Sequence, residues 1–162
     1  MKDTLVIYYS AENHTRKIAQ ILAEKLNADL HEIAPKAPYT PEELDWNDED
    51  SRVNQEHDDE SLREKIELTA ETTSPANWAG YSKIILCYPI WYGIAAWPTD
   101  IFVKAMDWQG KTIIPVCTSH TSGVGQSADL LQAAAKNGNW QPGERLFQDA
   151  TDEEIANLAS KI

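Results

Sequence analysis

At 162 residues the chain suits one domain with its own core, and 42% hydrophobic with 25% charged residues is a globular composition. A net charge of −12 makes nucleic acid and anionic membrane surfaces poor partners. No apolar run approaches the ~20 residues of a membrane helix, and the apolar start at 5–9 is too short for a signal-peptide core, so a cytoplasmic protein is expected.

Residues 5–9 (Leu-Val-Ile-Tyr-Tyr) read as a buried strand. Between Thr15 and Asn27, Ile18, Ile21, Leu22 and Leu26 recur at helical spacing. Residues 30–34 form a second strand, ended by Pro35 and Pro38. The stretch 36–77 is long for a connection, and a helix over 60–70 is expected inside it. Within it, residues 42–60 hold ten acidic side chains against the lone Arg52. Such a run is either a solvated loop or a surface that steers a basic partner. Its weak hydrophobic pattern points to partner encounter and not to ligand binding.

The next strand is 84–88, followed by a helix at about 98–106 with Pro98 in its first turn, where a missing N–H is harmless. Then come a strand at 112–117, a helix at 127–136 and a weak strand at 145–148. A last helix opens on the capping box Thr151 and Glu154, with Ile155, Leu158, Ala159 and Ile162 as its apolar stripe. This alternation predicts a single α/β domain over 1–162, a five-stranded parallel sheet with helices on both faces, in three layers. Cys87 and Cys117 read as reduced core thiols in neighbouring strands, and no close-spaced ligand cluster points to a metal.

Ligands of open parallel sheets sit beyond the carboxyl ends of the strands. The loop after the first strand, Ser10-Ala11-Glu12-Asn13-His14-Thr15, puts hydroxyls and free backbone N–H groups at a helix N-terminus. It serves as an anion site or as plain helix capping. After the third strand, Pro89-Ile90-Trp91-Tyr92-Gly93 sets two aromatic rings side by side, and at least one must face solvent or a flat ligand. After the fourth, 118–125 (Thr-Ser-His-Thr-Ser-Gly-Val-Gly) is rich in hydroxyls and glycine, so backbone can approach a ligand closely. Its Gly123-x-Gly125 start of a dinucleotide fingerprint is set aside, because that fingerprint belongs after a first strand.

At these loops the chain resembles the flavodoxin family, in particular bacterial flavodoxin-like proteins with a long acidic segment before the third strand. Ser10 and Thr15 match the family's Ser-x-Thr-Gly-Asn-Thr phosphate loop, from which Glu12, Asn13 and His14 depart. The aromatic loop is similar to Pro-Ile-Trp-Trp-Gly, with Tyr92 at the second aromatic. The last loop is similar to Thr-Ser-x-x-Ser-Gly-x-Gly-x-Ser through Thr118, Ser119, Ser122, Gly123, Gly125 and Ser127. The resemblance implies a doubly wound sheet of order 2-1-3-4-5 and bound flavin mononucleotide (FMN). It implies as the FMN site Ser10, Ala11, Glu12, Asn13, His14, Thr15, Pro89, Ile90, Trp91, Tyr92, Gly93, Thr118, Ser119, His120, Ser122, Gly123 and Gly125.

The implied function is electron transfer on FMN, with no catalytic residue in the protein, to redox partner proteins with a basic docking face, as a monomer or weak dimer. Two other classes stay open: an NAD(P)H-dependent quinone or flavin reductase on the same fold, and a cofactor-free interaction module. A carboxylate at Glu12 beside a phosphate is the argument for the last. A phosphoacceptor receiver shares the topology but needs an acidic cluster that Ser10-Ala11 does not supply.

Overall fold

A computed structural model describes residues 2–162. In chain order the elements are β1 (Thr4–Tyr8), α1 (His14–Lys25), β2 (Asp29–Glu32), α2 (Arg52–Asp58), α3 (Glu60–Arg63), a 3-10 turn (Trp78–Gly80), β3 (Lys83–Trp91) and β4 (Ile94–Ala95). There follow α4 (Trp97–Ala105), β5 (Thr112–Ser119), α5 (Ser127–Ala135), β6 (Asn139–Trp140), β7 (Glu144–Phe147) and α6 (Asp152–Ala159).

Strand side chains alternate between two apolar layers, as a sheet covered on both faces requires. Leu5, Ile7, Ile84, Leu86 and Ile113 pack with Phe102 and Val103 of α4 and Leu131 of α5. Val6, Tyr8, Ile85, Ile114 and Val116 pack on the other side with Ile18 and Leu22 of α1 and Ile155 and Leu158 of α6. The main strands run parallel in the order β2-β1-β3-β5, and β6 and β7 pair with the start and end of β5. The expected order 2-1-3-4-5 holds, with the last strand broken at Gln141-Pro142-Gly143. A Cβ on Gly143 would lie 2.8 Å from Val124 Cγ1, so only glycine lets the chain cross there. Cys87 and Cys117 are free and buried on adjacent strands but face opposite layers.

The segment between β2 and β3 corrects the expected helix over 60–70. That helix stops at Arg63, and Leu68 turns back to bridge Pro35 in antiparallel fashion. Lys36 N–H donates to Glu67 O (2.8 Å), Thr69 N–H to Ala34 O (2.9 Å) and Ala34 N–H to the Thr72 hydroxyl (2.9 Å). These bonds to the segment just after β2 outweigh helix propensity. The better-formed helix is α2, capped by Ser51, whose Oγ accepts from Asn54 N–H (3.4 Å). It buries Val53 and Glu56. The Glu56 carboxylate accepts from the Tyr39 hydroxyl (2.5 Å) and from Arg52 Nε (3.1 Å), while the Arg52 guanidinium lies 3.7 Å over the Tyr39 ring.

The third strand is also longer than its apolar run. It continues through Pro89 to Trp91 and folds back as a hairpin, with Trp91 opposite Ile94 and Ile90 opposite Ala95. The turn residues Tyr92 (φ 51°) and Gly93 (φ 81°) both have positive φ, the requirement of a type I′ hairpin turn.

Candidate functional site

The three candidate loops meet at the carboxyl ends of β1, β3 and β5, around a cavity of about 450 Å³. Ser10, Ala11, Glu12, His14, Thr15, Pro89, Ile90, Trp91, Tyr92, Thr118, Ser119, His120 and Ser122 all line it. The loops are tied at the floor. Thr15 and Thr118 share a buried hydroxyl–hydroxyl hydrogen bond of 2.8 Å, and the Ser119 hydroxyl donates to Ser122 O. The Tyr88 and Ser127 hydroxyls, 2.9 Å apart, join β3 to α5 below.

Four of the candidate residues do not line the cavity: Asn13, Gly93, Gly123 and Gly125. Asn13 sits at the N-cap of α1 with φ 68°, the left-handed backbone that asparagine tolerates. A Cβ on Gly125 would meet Gly93 O at 3.5 Å, so these two glycines are where the second and third loops touch.

The first loop has the makings of an anion site. No side chain caps α1, and its first turn carries no acidic residue. The first N–H groups of a helix have no partner within it. The Ser10 hydroxyl is buried with no hydrogen-bond partner among the described residues, a state that normally costs stability. The Thr15 hydroxyl, by contrast, is engaged with Thr118. Arg16 is committed to Glu32 (3.1 Å) and lies 5.8 Å over the Tyr8 ring, so it does not balance Glu12.

The aromatic wall comes from the hairpin. Trp91 is half-buried, set edge-on against Tyr9 (5.7 Å), Tyr39 (5.1 Å) and Trp97 (5.5 Å). Tyr92 is exposed; its ring stacks on His57 (4.0 Å, 18°) and its hydroxyl donates to Asn54 Oδ1. Partial burial, then the charge of Asp58, pushes the Tyr92 phenol pKa up. Burial does the same to Tyr9 behind Trp91.

Sequence reasoning left out Leu44, Trp46, Val53, Thr121 and Gln148, which also line the cavity. The expectation that the acidic segment has no part in the site is therefore corrected: Leu44, Trp46 and Val53 belong to it. They are apolar exceptions inside a charged run, and that contrast was the available signal. Gln148 belongs through the edge strand, where its amide meets His120 Nδ1 at 3.3 Å.

The family model described as Flavodoxin matches residues 3–162. No curated protein matches the chain. Among solved structures it is similar to a candidate flavoprotein of Bacteroides eggerthii DSM 20697, at 31% identity and TM-score 0.84, covering 99% of this chain and 97% of that one. A candidate flavoprotein of Bacteroides uniformis ATCC 8492 matches at 31% identity and TM-score 0.86 over 98% and 97%. A flavoprotein of Lactobacillus acidophilus NCFM, crystallised with FMN, shares the fold at 18% identity and TM-score 0.67 over 99% of each chain.

Proposed function

The chain belongs to the flavodoxin family, and from that premise we propose that it binds one FMN in the strand-end cavity and serves as an electron carrier. The observation that carries this reading is the Ser10 hydroxyl, buried with no partner among the described residues, in the loop that enters a helix with no side-chain cap among them. A phosphate there would accept from Ser10 and from the first-turn N–H groups of α1, satisfying donors that are otherwise left over. The cavity volume of about 450 Å³ falls in the range of cofactor sites, and its remaining walls suit a flat ring.

When bound, FMN supplies the one- and two-electron chemistry. The protein's part is position and environment. Ser10 and the α1 N-terminus would hold the phosphate end. Trp91 and Tyr92 would flank the ring, and Leu44, Val53, Pro89 and Ile90 would keep water from it. The Ser122 hydroxyl and the backbone of 118–122 would face its polar edge, with the Thr118 and Ser119 hydroxyls already engaged within the protein. The acidic surface around the mouth, dense in 42–60, is suited to meeting a basic redox protein, an encounter that salt should slow.

The purified protein should be yellow, with a flavin absorbance spectrum, and should stay oxidised for seconds after stopped-flow mixing with NADH or NADPH. Rapid bleaching by either nucleotide would replace the carrier with a reductase. A colourless protein that takes up no added FMN would overturn both.

A further inference from the structure

We propose that α2 of the acidic segment is a clamp on the aromatic hairpin, in which His57 and Asn54 are positioning residues that hold Tyr92 in its left-handed conformation. The proposal rests on the cavity being a flavin site, as argued above.

A bulky side chain at positive φ is a rare and strained choice, whereas the Asn-Gly pair usual in such turns needs no outside help. Tyr92 has φ 51° and is 41% exposed as a residue; from the core, Trp97 stacks on its ring at 6.0 Å, a longer contact than a close stack. The closer engagement comes from α2. His57 stacks on its ring at 4.0 Å, and Asn54 Oδ1 accepts from its hydroxyl.

Both α2 residues are themselves fixed. The Asn54 amide donates to Trp46 O (2.9 Å) and Asp48 O (2.7 Å), and the Arg63 guanidinium donates to the His57 carbonyl (3.3 Å). The helix is rooted by buried Val53 and by the Arg52–Glu56–Tyr39 group, and Tyr39 touches Trp91. α2 therefore engages Tyr92 directly and, through the Tyr39 that its Arg52 and Glu56 hold, Trp91 as well. A surface that served only partner encounter would have no need of this grip.

The clamp acts on the ring wall and not on the phosphate loop, so its loss must weaken all flavins alike. His57→Ser should lower the affinity for FMN and for riboflavin by the same factor, about five- to tenfold, and His57→Phe, which keeps a flat stacking ring, should bring both back to within twofold. In the flavin-free protein, amide hydrogen exchange across 91–95 should be at least tenfold faster in His57→Ser and near the native rate in His57→Phe. Native exchange in the Ser variant, or a Phe variant no better than Ser, overturns the clamp. A native chain that binds neither flavin overturns the flavin reading instead, and the exchange comparison still decides the clamp.

Discussion

Ser10→Ala should move two properties in opposite directions. The Ser10 hydroxyl is buried with no partner among the described residues, and leaving such a group dry costs about 1–3 kcal/mol. Replacing it by a methyl group removes that cost, so the flavin-free variant should be more stable by about 1 kcal/mol. For a chain of this length that is a rise of roughly 2–4 °C in Tm. The same substitution deletes a donor to the phosphate. A hydrogen bond to a charged group contributes about 1.5–3 kcal/mol, so FMN should bind roughly 10- to 150-fold more weakly. Riboflavin, which has no phosphate, should bind both forms equally. Calorimetric titration with the two flavins and thermal unfolding without them give all three numbers. If the variant is less stable without flavin, or loses riboflavin as strongly as FMN, the hydroxyl has a structural partner and the reasoning fails.

Three further outcomes are expected. Glu12 lines the cavity and is exposed; at ~7 Å and an effective dielectric of ~40–80, each phosphate charge repels it by about 0.6–1.2 kcal/mol. Glu12→Thr should then tighten FMN roughly three- to thirtyfold in a low-salt fluorescence titration, less at high salt, and weaker binding would refute this. Arg52→Met leaves the Glu56 carboxylate buried without its cation and should cost about 2–3 kcal/mol in urea unfolding. Adding Glu56→Gln should recover part of it, and a single variant within about 0.5 kcal/mol of native contradicts the argument. Tyr8 is pushed up to about 12 by burial and the Glu32 charge, and Tyr81 to about 12 by its hydrogen bond to Asp29 and by burial. The unfolded chain ionises these phenols near 10. Their contribution is therefore whole below pH 10 and is lost as pH rises through about 12. The urea midpoint should fall across that window, less steeply in Tyr81→Phe, and an equal fall in that variant would rule the group out.

The sheet was legible because strands buried on both faces read as short unbroken apolar runs, and the strand-end loops because glycine, hydroxyls and paired aromatics are poor choices for ordinary turns. What stayed hidden has specific causes. Pro89 reads as the end of a strand, yet β3 runs through it to Trp91. Tyr92 occupies a turn position where asparagine or glycine is the recognisable signal. The inward side of α2 is Val53 and Glu56, and a helix that buries a glutamate leaves no hydrophobic period to find. The partner that makes this burial tolerable, Arg52, stood out only as the single cation of its run.

A continuous strand at a sheet margin offers a row of unpaired N–H and C=O groups on which another chain can add, the first step toward fibrils. At the far margin of this sheet that row is cut. Two residues of β6 are followed by Gln141, by Pro142 with no N–H to offer, and by Gly143 pressed against Val124 and Ala128, before β7 supplies four more. The near margin, β2, is four residues long and carries Asp29 and Glu32. Neither margin presents a long, plain row of unpaired groups, so the same proline and glycine that break the last strand also shorten the template it offers.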